Sequence, residues 1–86
     1  MQNEDRWMAG GDRWKAGGVL ATNGKVYFAP ANAHQVLSID PETQTVEMLG
    51  PEMQGEQKYS AGGVLATNGK IYFAPCDARQ VLSIDP

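Results

Sequence analysis

The chain has 86 residues, enough for one small domain with a modest hydrophobic core. It carries 7 basic and 10 acidic residues, which gives a formal net charge of −3, and 42% of its residues are hydrophobic. A surface that follows nucleic-acid phosphates needs a surplus of Lys and Arg, so this composition argues against nucleic acid as a partner. The single cysteine, Cys76, excludes an intrachain disulfide.

Two interpretations stay open for residues 1–15. The polar start, Met1 to Arg6, lacks the apolar run of a signal peptide, and no segment approaches the roughly 20 apolar residues of a membrane span. We therefore expect no membrane partner and, by default, a cytoplasmic location. Residues 1–15 are predicted to be either a loosely attached leader or an outer strand that closes the fold.

The dominant feature of the sequence is an internal repeat with a period of 45 residues. The run Ala16-Gly17-Gly18-Val19-Leu20-Ala21-Thr22-Asn23-Gly24-Lys25 recurs unchanged as residues 61–70, and the match continues to Asp85-Pro86. Such identity indicates a recent duplication, gene conversion or design. Within the 26 aligned positions only four pairs differ: Val26/Ile71, Ala31/Cys76, Asn32/Asp77 and His34/Arg79.

Gly, Asn and Pro residues interrupt each repeat too often for helices of ordinary length. The runs between these breaks are rich in β-forming residues. The first repeat, residues 16–60, is therefore predicted to be a four-stranded antiparallel unit, and the second, residues 61–86, the same unit without its outer strand. The predicted strands are residues 17–22, 25–30, 35–40 and 45–49, followed by residues 62–67, 70–75 and 80–85.

Two turn signals join the predicted strands. Asn23-Gly24 favours a type I′ hairpin, in which both central residues have positive φ. Asp40-Pro41 favours a type I turn, because Pro fixes φ at the second position and Asp accepts a hydrogen bond from the backbone ahead.

The hairpins resemble those of a known repeat family. In the first repeat, Gly24-Lys25-Val26-Tyr27 is followed by a Val-x-x-Ile-Asp-Pro pattern at residues 36–41. This arrangement resembles kelch and YVTN-type repeats over roughly residues 16–50 and 61–86, although Ala29-Pro30 stands where kelch repeats carry a double glycine. The resemblance implies an all-β fold in which each repeat is one β-propeller blade.

Two blades cannot close a ring, because each end of the stack would expose an apolar sheet face. Burial of apolar surface is worth roughly 25 cal/mol per Å², and head-to-tail contacts between copies recover it. We therefore expect a propeller completed by homo-oligomerisation, in which two, three or four copies give four, six or eight blades. The competing interpretation is a fragment of a longer propeller.

Candidate ligand-binding residues fall into a loop set and an aromatic set. Exposed loops often carry function, although drift of an exposed loop would explain the same differences between the repeats. The aromatic residues could stack on sugars, as in a lectin-like propeller, or pack between blades. The loop set is Asn32, His34, Asp77 and Arg79, and the aromatic set is Trp7, Trp14 and Tyr59.

The sequence contains no Ser-His-Asp or Cys-His set, phosphate-binding loop or metal-ligand spacing. We therefore predict no catalytic residues, no metal and no cofactor. The predicted function is a non-catalytic structural or binding module whose main partner is another copy of itself, with a protein or carbohydrate as a further partner. Two alternatives stay open: a propeller that binds a carbohydrate or another small ligand, and a fragment of a propeller hydrolase or lactonase.

Overall fold

The computed structural model describes residues 13–86, which form seven β-strands and no helix. Each strand lies within a segment predicted from the sequence, and most are shorter than predicted. The prediction of a leader or closing strand falls largely on residues 1–12, outside the described residues. The strands are β1 (Val19–Leu20), β2 (Val26–Phe28), β3 (Val36–Asp40), β4 (Thr45–Leu49), β5 (Val64–Leu65), β6 (Ile71–Phe73) and β7 (Leu82–Ile84).

The strands form two antiparallel sheets, one from each repeat. The first sheet has the order β1-β2-β3-β4, and the second has the order β5-β6-β7. Within each sheet every strand pairs with its neighbour in sequence, so each connection inside a sheet is a hairpin. The predicted all-β, antiparallel character is therefore confirmed, with four strands in the first sheet and three in the second.

The hairpin between β1 and β2 differs from the predicted turn. Leu20 pairs with Val26 and the Ala21 N–H donates to the Lys25 carbonyl at 2.8 Å, so the loop has three residues. Of these only Gly24 has a positive φ, at 86°. A three-residue hairpin needs one residue in the left-handed region, which glycine adopts without steric cost. The predicted type I′ turn, with Asn23 also at positive φ, is wrong.

The turn between β3 and β4 follows the prediction for its first residue. The Asp40 side chain accepts a hydrogen bond from the Glu42 N–H at 3.1 Å, which fixes the start of the turn. Gln44 takes a left-handed φ of 58° immediately before β4 begins. The turn brings Asp40 opposite Thr45, so β4 covers the edge of β3 along its whole length.

The strand register divides the side chains of each sheet between two faces, because successive side chains point to opposite sides of a strand. We call the faces that look towards the other repeat the inner faces and the opposite ones the outer faces. In the first sheet the inner face carries Val19, Tyr27, Ala29, Val36 and Ser38, and the outer face carries Leu20, Val26, Phe28, Leu37 and Ile39. In the second sheet the inner face carries Leu65, Ile71, Phe73, Leu82 and Ile84, and the outer face carries Val64, Tyr72, Ala74, Val81 and Ser83.

The core lies between the two inner faces. Ile71 and Phe73 of the second sheet are completely buried, and they belong to one cluster with Tyr27 and Val36 of the first sheet. Tyr59, which precedes the second sheet, completes this cluster. Each sheet therefore buries one face against the other repeat, which is the usual way a sheet becomes stable.

Candidate docking surface

The outer face of the second sheet is mainly apolar, and within residues 13–86 no other strand packs on it. Val81 is 59% exposed on this face, whereas Val36, the same residue one repeat earlier, is 5% exposed. Val64 on the same face is also exposed, and its equivalent Val19 is half-buried. Identical side chains thus lie in the core in the first repeat and in solvent in the second. Exposed apolar patches of this kind mark interaction sites.

Beside the sheets, the loop at residues 31–34 is hydrogen-bonded to the linker at residues 53–58, and we call this contact the seam. The Met53 N–H donates to the His34 carbonyl at 2.7 Å, and the Lys58 N–H donates to the Ala31 carbonyl at 3.1 Å. The seam therefore joins the first repeat to the segment that leads into the second.

Asn32 and His34, two of the predicted loop residues, both take part in the seam. The Asn32 Oδ1 accepts the Gln57 N–H at 2.8 Å, and the His34 Nδ1 lies 3.2 Å from the Met53 carbonyl oxygen. Asp77 and Arg79, their equivalents, lie exposed in the second repeat. The two pairs therefore have different environments: Asn32 and His34 bond to the linker, whereas Asp77 and Arg79 are exposed and line a cleft on the linker. The Asp77 backbone N–H donates to the Gln57 carbonyl at 3.0 Å.

Lys58 is buried at the seam and binds there, although the candidate residues predicted from the sequence do not include it. Its ammonium group donates to the Ala33 carbonyl at 2.7 Å and to the Gly55 carbonyl at 2.8 Å. Burial lowers the pKa of Lys58, because the low-polarity surroundings disfavour its charged form. The two carbonyl oxygens offset the cost of removing the ammonium group from water. Alignment of the repeats offers one signal for this role, since Arg13 is the cation 45 positions earlier.

Arg13 and Lys58 occupy equivalent positions, and the carbonyl of each accepts two backbone N–H groups from a loop further along the chain. We call this position the backbone clamp. The Arg13 carbonyl accepts the N–H groups of Ala31 and Ala33 at 2.7 and 3.1 Å. The Lys58 carbonyl accepts those of Cys76 and Ala78 at 2.7 and 3.4 Å. Lys58 therefore binds the loop of the second repeat through its carbonyl and the loop of the first repeat through its N–H and its side chain.

Trp14 and Tyr59 also occupy equivalent positions in the two repeats. The Trp14 indole N–H donates to the Gln35 carbonyl at 3.0 Å, and the Tyr59 hydroxyl donates to the Gln80 carbonyl at 2.8 Å. Tyr59 is buried in the core and burial raises its pKa, whereas Trp14 is half-buried. The position of Tyr59 agrees with packing between the repeats. The third aromatic candidate, Trp7, lies outside the described residues.

The second sheet also has an uncovered edge. In the first sheet β4 pairs with β3, but within the described part of the chain no strand pairs with the outer edge of β7. A groove of about 610 Å³ runs along residues 80–86 and is lined on its other side by residues 49–51 and Val36. The uncovered face and this edge adjoin the exposed loop at residues 75–79. The face, the edge and the loop each have a covered equivalent in the first repeat.

Within residues 13–86, no three His, Cys, Asp or Glu side chains lie close enough to hold a metal ion together. The same residues include no helix with the length and hydropathy that crossing a membrane would require.

Comparison with known proteins found no match, either among protein-family models or among curated proteins. The resemblance to kelch and YVTN-type repeats therefore depends on the residues quoted for it and stays a prediction.

Proposed function

We propose that this chain is a non-catalytic structural module that assembles with copies of itself, each repeat serving as one blade of a shared β-propeller. One observation supports the proposal above the others. The outer face of the second sheet carries the same five residues as the inner face of the first sheet, which is already packed in the core. The surface that one copy leaves uncovered is thus a copy of a surface that is known to pack.

The first sheet supplies the complementary surface on its outer face. The outer face of the first sheet matches the inner face of the second at four of five positions, and the remaining pair is Val26 and Ile71. On this face Leu20 is exposed, Val26 and Phe28 are half-buried, and Leu37 is buried. The second sheet of one copy therefore fits the first sheet of another, as its own two sheets fit each other. Such head-to-tail contacts build a ring when the rotation closes.

The magnitudes favour association through the whole face rather than through one side chain. Burying a valine is worth about 1.5–3 kcal/mol, whereas joining two molecules costs about 4–15 kcal/mol in lost freedom. Val64, Tyr72 and Val81 would be covered together, and the exposed loop at residues 75–79 adds hydrogen bonds of the type seen at the seam.

The test compares the masses of two variants and the parent chain by light scattering after size exclusion. Val81→Asp places a carboxylate at an exposed valine position on the uncovered face and is expected to give a monomer of 9.3 kDa. Thr67→Asp is the matched control, because Thr67 and its equivalent Thr22 are both exposed, and it is expected to keep the parent mass. An assembled Val81→Asp variant, or a monomeric parent chain, would contradict the proposal.

A further inference from the structure

The junction between the two repeats shows how a second copy would align on the first. At this junction Lys58 reaches back to the preceding repeat in two ways: its N–H donates to the Ala31 carbonyl, and its ammonium group donates to the Ala33 carbonyl. Both contacts belong to the backbone of one loop. The first contact needs only the backbone of residue 58, whereas the second needs its cationic side chain.

The second repeat presents the same two carbonyl positions without the cation. Cys76 and Ala78 are equivalent to Ala31 and Ala33, and their N–H groups are held by Lys58 in the manner in which Arg13 holds the first loop. This shared anchoring gives the two loops the same backbone arrangement around the clamp. Cys76 is exposed and Ala78 is half-buried, whereas Ala31 and Ala33 are both buried.

Arg13 is the residue that can complete this arrangement. It is exposed, and within residues 13–86 the backbone hydrogen bonds of Arg13 all involve its carbonyl, which faces its own repeat. By equivalence with Lys58, its N–H and its side chain belong to the side where a preceding repeat would lie. A guanidinium group offers five N–H donors and keeps its charge, so it can serve carbonyl acceptors as the Lys58 ammonium group does.

We infer that Arg13 of one copy docks on the loop at residues 75–79 of a second copy, with its N–H on the Cys76 carbonyl and its guanidinium group on the Ala78 carbonyl. The inference rests on the proposed self-assembly and specifies its register and its partner residue. The partner is a second copy of this chain, because only a chain with a cation at the clamp position, followed by a matching first sheet, reproduces both the seam and the packed face.

This register has a consequence for the only thiol. Ala31, which occupies the position of Cys76 in the first repeat, is 0% exposed at the junction. A second copy docked in the same register would cover Cys76 in the same way, although the thiol is exposed in the single chain. Thiol labelling therefore reports the register directly, because the reactivity of a cysteine depends on its access to the reagent.

The first experiment measures assembly of Arg13 variants by sedimentation over a dilution series. Arg13→Met is expected to weaken assembly by about 10- to 100-fold, because the Ala78 carbonyl, covered in the assembly, loses its charged donor. Arg13→Lys introduces the residue type found at the equivalent position, 58, and is expected to assemble like the parent chain. Lys15→Met removes the same charge two positions away. The Lys15 ammonium group is exposed and donates to Gln57 Oε1 of its own chain at 3.1 Å, so its loss is expected to leave assembly between copies unchanged.

The second experiment follows maleimide labelling of Cys76 in the assembled parent chain and in the monomeric Val81→Asp variant. The thiol is expected to react at least about tenfold more slowly in the assembly than in the monomer, because labelling then requires dissociation. Equal labelling rates in an assembled parent chain, together with normal assembly of Arg13→Met, would overturn the inference and leave self-assembly standing. A monomeric parent chain would overturn both.

Discussion

Val36 and Val81 are the same residue at the same position of two nearly identical repeats, yet one lies in the core and the other in solvent. Their local sequences match from the preceding glutamine to the end of the third strand. The difference therefore arises from what lies against the sheet. In the first repeat it is the second sheet, and in the second repeat no described residue takes that place. Whether a side chain of this repeat is buried therefore depends more on the contact between repeats than on the residue type.

The differences between the repeats are concentrated at this junction. Three of the four variable positions lie in the loop that forms the seam in the first repeat and is exposed in the second. Ala31 is completely enclosed, which restricts its position to a small side chain, and Cys76 exceeds it by one sulfur atom. A docked copy would place Cys76 in nearly the same enclosure, so this substitution is compatible with a second junction of the same kind.

A charge on either valine gives the largest expected contrast. Val36→Asp buries a carboxylate between the sheets and is expected to destabilise the fold by more than about 4 kcal/mol, enough to unfold a chain of this size. Val81→Asp is expected to change the stability of the monomer by less than about 0.5 kcal/mol, since its side chain remains in water. Urea unfolding of each variant, followed by circular dichroism, measures both effects. Equal losses of stability would mean that the two faces do not differ as described.

Two glycines sharpen the comparison at the packed face. A Cβ at Gly63 would lie 2.6 Å from the ring of Phe73, which is fully buried. A Cβ at Gly18 would lie 2.6 Å from the ring of Phe28 and 2.8 Å from Val26 Cγ1, and both of these side chains are half-buried. Gly63→Ala is therefore expected to cost about 2–3 kcal/mol and Gly18→Ala about 1 kcal/mol, because Phe28 and Val26 have room to move and Phe73 does not.

Gly62→Ala serves as the control for the glycine pair, since no atom lies within 4 Å of a Cβ at that position. Thermal unfolding at a concentration where the chain is monomeric measures the three variants on one scale. A cost for Gly18→Ala equal to that of Gly63→Ala would show that the Phe28 ring is as constrained as the Phe73 ring. The difference in burial between the inner face of the second sheet and the outer face of the first sheet would then have no energetic consequence.

Tyr59→Phe gives the smallest expected effect and probes the anchor of the second repeat. Loss of the hydrogen bond to the Gln80 carbonyl is expected to cost about 1 kcal/mol at neutral pH. Burial raises the pKa of Tyr59 above its ordinary value of 10.0, so the unfolded chain loses this proton first. The contribution is fully present below pH 10.0 and is lost as the pH rises through the folded-state pKa.

Urea unfolding of the parent chain and Tyr59→Phe at a series of pH values measures the contribution of this hydroxyl. The parent chain is expected to lose its advantage over the variant above pH 10, and the two curves should converge. Curves that stay parallel to higher pH would show that the hydroxyl ionises alike in the folded and unfolded chains. Comparison with the variant is necessary because the lowered pKa of Lys58 acts in the opposite direction as the pH rises towards 10.5.

The strands could be predicted from the sequence because their signals are local. Val, Ile, Tyr and Phe cluster between Gly, Asn and Pro breaks, and the 45-residue repeat places each strand twice. The hairpin type could not be predicted from Asn23-Gly24, because the loop length is set by the register of β1 against β2. An Asn-Gly pair fits a two-residue loop and a three-residue loop equally well, and only Gly24 takes a left-handed conformation.

The candidate site depends on contacts that are distant in sequence, so less of it could be predicted. Asn32 and His34 were identified as a loop of interest from their variation between repeats, but their bonds to Gln57 and Met53 require the folded linker. The sequence around Lys58 does not distinguish it from an ordinary surface lysine, because its partner loop at residues 31–34 is distant in sequence. The uncovered face could be anticipated only in general terms, from two repeats that leave apolar sheet faces without a partner.

The mass of the parent chain in solution, measured by native mass spectrometry over a range of concentrations, tests self-docking most directly. Identical repeat junctions within and between copies predict a single closed species, at two, three or four times the chain mass of 9.3 kDa. A folded monomer at every concentration would contradict self-docking, since it would show the outer face of the second sheet to be stable in water. An open ladder of sizes would contradict ring closure and leave the head-to-tail contact in place.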